Sequence, residues 1–232
     1  MINVFYRISN NSYAFKVKPS YVTKMNCLKN FLKHFLDEKI HMVCDNLTDV
    51  DTKQFITTHP KLTYEFTNLG NAKSFGHCLS KALEIKSDDE IVYLVEDDYI
   101  HRSGSTTVLK EGLLLGSDFV SLYDHPDKYM EGDGKNPYVE DGGEETKVFA
   151  TKSCHWKFTN STTGTFAMTV KTLKENLDTL RFYMVDRPQA DDFGMFLKLR
   201  ELGKSLVTPI PGYATHGEIR WLAPIIDWEK EI

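Results

Sequence analysis

The chain has 232 residues, with 28 basic and 33 acidic side chains for a net charge of −5, and is 41% apolar and 12% aromatic. That composition is ordinary for a globular protein with a substantial core, and it excludes a disordered tail, a collagen and a coiled-coil rod. No apolar run approaches the ~20 residues of a membrane span, the first residues lack the pattern of a signal peptide, and no Lys/Arg block marks a nucleic-acid surface.

Residues 2–8 read as a strand, followed by a polar loop through Asn10, Asn11 and Ser12. Met25, Leu28, Phe31, Leu32, Phe35 and Leu36 recur at helical spacing and predict an amphipathic helix over 22–36. A buried strand at 40–44 ends at Asp45-Asn46, a helix over 48–58 is closed by His59-Pro60, and 62–66 reads as a third strand. Asn68-Leu69-Gly70-Asn71 is a turn, after which Phe75, Cys78, Leu79, Ala82, Leu83 and Ile85 mark another helix. Residues 91–95 form a fully apolar strand that stops at Glu96-Asp97-Asp98. The second half is less regular: a helix near 105–115, strands at 118–123, 147–151 and 163–170, helices near 172–181 and 191–202, and a strand near 205–209 before an aromatic tail. Between Glu131 and Glu145 stand six acids, one lysine, four glycines and Pro137, a composition that predicts a mobile loop rather than packed structure.

Strand–helix alternation predicts an α/β fold with a largely parallel central sheet flanked by helices. No linker or repeat divides it, so 1–232 reads as a single domain. Cys27, Cys44, Cys78 and Cys154 form no C-x-x-C pair and read as free, mostly buried thiols of a reducing compartment.

Parallel sheets bind ligands beyond the carboxyl ends of their strands, and Arg7 with Ser9, Asp45-Asn46, and Glu96-Asp97-Asp98 stand at three such ends. Three adjacent carboxylates repel one another. A hard divalent cation, Mn²⁺ or Mg²⁺, would relieve that repulsion and bridge to substrate phosphates, whereas a solvated acidic turn would have no function. His216, in a distant loop, is either an ordinary loop histidine or a sensible further ligand for Mn²⁺. Asp191-Asp192 opens a predicted helix: capping accounts for one carboxylate, and the second is free to act as a general base. Asn71-Ala72-Lys73-Ser74 starts a helix whose amides and Lys73 ammonium suit a phosphate. His155-Trp156 with Thr163 and Gly164 suits the stacking and hydrogen bonding of a sugar, although taken alone it favours a hairpin of Thr-rich strands with no ligand. Walker, G-x-G-x-x-G, G-x-S-x-G and H-E-x-x-H patterns are absent.

Val92-Tyr93-Leu94-Val95-Glu96-Asp97-Asp98-Tyr99 resembles the D-x-D segment of nucleotide-sugar glycosyltransferases with the GT-A fold, here as Glu-Asp-Asp. Asn71–Phe75, Asp191-Asp192 and Thr215-His216 follow in the order of that family's donor turn, "ED" segment and C-terminal metal-binding histidine. The pieces are similar to small glycosyltransferases of large DNA viruses, phages and bacterial polysaccharide clusters. Segments like Tyr123–Tyr129 and Pro211–His216 recur there. The resemblance implies a nucleotide-binding half over 1–100, and an acceptor-binding half with a C-terminal lid over 101–232. It implies a UDP- or GDP-linked sugar donor, a glycan or glycoprotein acceptor, and a cytoplasmic location, the host's for a viral enzyme. Asp98 would contact Mn²⁺ or Mg²⁺ and His216 would complete the metal shell. Glu96 or Asp97 would touch the ribose or a metal-bound water, Tyr6, Arg7, Ser9 and Asp45 would hold the nucleoside, and Asp191 or Asp192 would deprotonate the acceptor in an inverting transfer. A metal-dependent phosphohydrolase or nucleotidyltransferase, and a non-catalytic carbohydrate-binding module, are the alternatives.

Overall fold

A computed structural model describes residues 1–11, 16–140, 143–187 and 189–232, so Ser12 of the first predicted loop and Asp141-Gly142 of the acidic loop lie outside the described residues. The first half alternates as its periodicity predicts: β1 (Ile2–Ser9), α1 (Lys24–Phe35), β2 (Lys39–Asp45), α2 (Val50–Thr58), β3 (Leu62–Thr67), α3 (Asn71–Ala82) and β4 (Ile91–Glu96). The second half comprises β5 (Tyr99–His101), α4 (Ser105–Leu114), β6 (Phe119–Val120), β7 (Val148–Ala150), β8 (His155–Phe158), β9 (Phe166–Thr169), α5 (Val170–Met184), α6 (Asp192–Glu201), β10 (Leu206–Ile210) and β11 (Ala214–His216). Among the described residues no helix is long and apolar enough to cross a membrane.

Nine strands form one sheet in the order β3-β2-β1-β4-β9-β6-β10-β8-β7. The run β3-β2-β1-β4 is parallel throughout. β9 runs against both β4 and β6, β10 returns parallel to β6, and β8 runs against β10 and β7. The sheet is therefore mixed but largely parallel. Strand order reverses between β1 and β4, because β2 and β3 build outward on one side of β1 and β4 lands on the other; the crevice beyond such a reversal is where open α/β sheets hold ligands. The strand order and its reversal make this a Rossmann-like α/β architecture, the fold class that the strand–helix alternation predicts.

Two apolar layers cover the sheet. Alternation along β1 sends Val4, Tyr6 and Ile8 to the layer containing Leu28, Phe31 and Phe35 of α1, and Phe5 to the layer containing Phe75 and Leu79 of α3 and Phe196 of α6. Each such side chain contributes roughly 2 kcal/mol of burial, so the amphipathic pattern and the sheet's two faces specify one another. Helix entry follows local chemistry: the Thr23 hydroxyl accepts from Asn26 N at 3.1 Å and the Asp49 carboxylate from Thr52 N at 2.8 Å.

Two sequence expectations change. The strand at 118–123 shrinks to Phe119–Val120, because the Leu122 carbonyl turns away to accept from Tyr213 N and Ala214 N of the tail. Parts of the acidic loop are packed rather than mobile: Asn136 and Val139 are buried, and Asn136 and Asn160 exchange side-chain amide hydrogen bonds at 2.9 and 3.0 Å. Asn136 Nδ2 also donates to Asp127 Oδ2 at 2.9 Å, so buried amides tie a charged loop to the body.

Candidate functional site

Register alone brings the three strand ends together. Arg7 of β1 lies beside Glu96 of β4, Ser9 beside Asp45 of β2, and Asp45 beside Thr67 of β3. The sequence suggested that a metal would relieve the repulsion within Glu96-Asp97-Asp98; in the structure a protein cation stands beside each of the three carboxylates. Arg7 Nη2 donates to Glu96 Oε1 at 2.9 Å, Lys24 Nζ to Asp97 Oδ2 at 2.7 Å, and Lys18 Nζ to Asp98 Oδ2 at 2.8 Å. Ser9 N adds a bond to Asp97 Oδ2 at 2.7 Å. Burial and the adjacent Asp98 charge still raise the Asp97 carboxyl above its ordinary value, against the pull of Lys24. Burial opposes charge on Asp98 as well, but His216, Lys16 and Lys18 outweigh it and hold that carboxyl well below the usual range.

His216 reaches Asp98 through a ladder the sequence did not reveal. β11 pairs antiparallel with β5, setting His216 opposite Tyr99, and Gly217 N donates to the Asp98 carbonyl at 2.7 Å. Residues 118 apart in the chain thus bring His216 Nε2 to 3.2 Å from Asp98 Oδ2. One carboxylate oxygen and one imidazole nitrogen so close are two neighbouring donors suited to Mn²⁺ or Mg²⁺. Among the described residues no group of three or more His, Cys, Asp and Glu side chains converges as a metal site. By itself the pair offers two ligand atoms, fewer than a divalent ion requires. A cation already stands beside it: Lys16 Nζ lies 3.3 Å from His216 Nε2 and 3.6 Å from Asp98 Oδ2.

Two adjoining cavities open here. One, of about 200 Å³, is lined by Ser9, Asp45, Ser74, Asp97, Asp98 and neighbours. The other, of about 240 Å³, is lined by Thr163, Gly164, Asp192, His125, Trp221, His216 and others. Arg7, Lys16, Asn71 and Glu96 border both. Gly164 permits this closeness, since a Cβ there would sit 3.2 Å from the Glu96 carboxyl group.

The Asp191-Asp192 pair divides its work. Asp191 caps α6, accepting from Gly194 N at 2.8 Å, and its other oxygen is held by Arg187. Asp192 turns into the larger cavity, where burial first, and then the negative charge of Glu96, push its carboxyl up to about 7. A carboxylate that takes and releases a proton near neutrality is suited to general base chemistry.

The remaining predicted residues separate clearly. Asn71 borders both cavities and accepts from Arg7 Nη1 through its side-chain oxygen at 2.9 Å and its carbonyl at 3.1 Å. Asp45 lines the smaller cavity, but its oxygens accept from Thr67, Leu69, Asn46 and Gly70, so it shapes the β3–α3 turn. Tyr6 is fully buried against Phe31, below the cavity floor rather than in it. Lys73 points to solvent and borders neither cavity. His155 and Trp156 do not reach the cleft: β8 lies on the far side of β10, His155 is exposed, and Trp156 is fully buried with its Nε1 donating to Thr151 Oγ1 at 3.0 Å. The aromatic wall is instead His125 packed on Trp221, ring centroids 5.2 Å apart. Sequence reasoning missed both, and also Lys16; Trp221 is assembled onto His125 only because the tail crosses the end of β6, which no local pattern encodes.

No family model matches the chain, and no curated protein matches it. Among solved structures, TarS 1–349 of S. aureus aligns over 89% of this chain and 57% of its own length, at 14% identity and a TM-score of 0.50. A 4-diphosphocytidyl-2C-methyl-D-erythritol synthase aligns over 98% of this chain and 94% of its own, at 13% identity and a TM-score of 0.49. The bifunctional IspDF of Campylobacter jejuni aligns over 89% of this chain and 48% of its own, at 16% identity and a TM-score of 0.43. The chain thus spans less than two thirds of the TarS fragment. At such identities the likeness is one of fold.

Proposed function

We propose that this protein is a glycosyltransferase that moves a sugar from a nucleoside-diphosphate donor, UDP- or GDP-linked, to a hydroxyl of a glycan or glycoprotein acceptor, with inversion at the anomeric carbon. One observation carries the reading. A cation-attracting pair, Asp98 with His216, and a carboxyl poised at about 7, Asp192, line neighbouring walls of adjoining cavities at the switch between β1 and β4. A sugar nucleotide asks for this division: a nucleoside cradle, positive charge at the diphosphate, and a base near the anomeric carbon.

Breaking the anomeric C–O bond leaves negative charge on the departing diphosphate, and positive charge fixed nearby stabilises it. Asp98 and His216 would hold Mn²⁺ or Mg²⁺, which supplies Lewis-acid stabilisation of that leaving group when bound. Asp192 takes the proton from the acceptor hydroxyl as the hydroxyl oxygen attacks the anomeric carbon from the face opposite the diphosphate. Trp221 and His125 offer an apolar face for the C–H side of a sugar, and Thr163 a hydroxyl for its oxygens. Asp97, bonded by Lys24 and Ser9 N, holds the end of β1 against the smaller cavity.

The test is a panel of UDP- and GDP-sugars incubated with glycan acceptors, with and without Mn²⁺, following glycoside formation by mass spectrometry. Acceptor-dependent glycoside with free nucleoside diphosphate is the expected product, and Asp98→Asn abolishes its metal-dependent part in a folded protein. Release of pyrophosphate with a new nucleotidyl ester would instead assign the cleft to nucleotidyl transfer.

A further inference from the structure

We propose that Lys16 is the diphosphate-binding residue of the donor site, a role that rests on the glycosyltransferase reading above. A diphosphate is the chemical link between nucleoside and sugar, so it must lie where a nucleoside cavity meets a sugar cavity. Four residues border both cavities here, and two of them, Arg7 and Lys16, are cations. Arg7 is committed: Nη2 is bonded to Glu96 at 2.9 Å, and Nη1 to the Asn71 side chain at 2.9 Å and carbonyl at 3.1 Å.

Lys16 is the less engaged of the two. Among the described residues its ammonium, with three donors to offer, stands 3.3 Å from His216 Nε2 and 3.6 Å from Asp98 Oδ2. Lys18 is a built-in contrast. It makes a closer pair with the same Asp98 oxygen, at 2.8 Å, yet borders neither cavity. Lys18 therefore neutralises Asp98, while Lys16 is left with donors facing the junction. Oxygen atoms of a diphosphate entering that junction would meet an ammonium already in position.

Titration calorimetry of UDP and GDP against uridine and guanosine, each in EDTA and in Mn²⁺, tests this on the full chain. For whichever nucleotide the parent binds, Lys16→Ala raises the diphosphate Kd at least about tenfold in both media, as expected for loss of a charge-assisted contact. It leaves nucleoside affinity unchanged, and Lys16→Arg restores most of the loss. Lys18→Ala, which removes the same charge from the same carboxylate, has a smaller effect on the diphosphate. Equal losses for nucleoside and diphosphate overturn the proposal, because they would mark a structural role. A loss confined to EDTA overturns it too, since Lys16 would then be only a stand-in for the metal, as does an unchanged Kd. A parent protein that binds neither UDP nor GDP defeats the glycosyltransferase reading itself, whereas binding without glycoside formation defeats that reading's chemistry and leaves the Lys16 contact standing.

Discussion

Two acidic clusters face each other across this cleft, and the protein treats them in opposite ways. At the end of β4 every carboxylate has a cation within hydrogen-bond reach: Arg7 for Glu96, Lys24 for Asp97, Lys18 for Asp98. At the start of α6, among the described residues, only Asp191 has a cation, Arg187, beside its bond from the Gly194 amide, while Asp192 accepts from the Phe193 amide alone and faces the cavity beside Glu96 with its carboxyl raised to about 7. Charges that are paired hold a shape and a ligand; a charge left raised in energy is ready to accept a proton. The comparison teaches that clusters equally rich in acids differ in how far neighbouring cations compensate them, which a count of carboxylates does not show.

The sharpest way to break the comparison is Asp192→Asn. Loss of a general base costs roughly 10²–10⁴-fold in kcat, with donor affinity retained, and parent turnover rises with pH through about 7 as Asp192 loses its proton. Its effect on stability has the opposite sign. Between the ordinary value of 3.8 and about 7 the folded state keeps a proton that the unfolded chain has lost, so this group's contribution falls as pH rises across that window. At pH 8 the charge is a net cost, and Asp192→Asn raises stability by on the order of 2 kcal/mol in urea unfolding. A variant that is less stable at pH 8, or whose pH–rate profile keeps its limb near 7, removes Asp192 from the base role.

Next in size is Arg7→Ala. It leaves Glu96 unpaired beside Asp97 and strips two bonds from Asn71, so unfolding free energy falls by roughly 2–3 kcal/mol, most steeply at low salt. An unchanged denaturation midpoint would mean that the β4 cluster does not depend on its cations. The smallest effect belongs to Asp191→Ala, which removes a helix cap worth about 1 kcal/mol and leaves turnover close to that of the parent. If Asp191→Ala instead matches the kinetic loss of Asp192→Asn, the division between cap and base fails.

Much of the first hundred residues was legible because local and global signals agree there. Apolar alternation along 2–8 and 91–95 and the helical stripe from Met25 to Leu36 each mark an element that the sheet then buries on both faces. Helix capping likewise predicted that one of Asp191 and Asp192 would serve as the cap, without saying which; it is Asp191. The failures have a common form. Trp156 sits beside threonines and looked like a sugar platform, yet it is core. Lys16 and Trp221 carried no local signal, yet both border the larger cavity.

By itself the sequence determined the strand–helix order and the polar strand ends of the first half, because side-chain period and chain punctuation are local properties read within a few residues. Tertiary structure alone decided which cation pairs with which carboxylate, that β11 delivers His216 to Asp98, and that Asp192 rather than Asp191 faces the cavity. Those outcomes depend on desolvation and on distances between segments far apart in the chain, and Coulomb energy in a partly dry cleft changes steeply over a few ångströms that no linear pattern records.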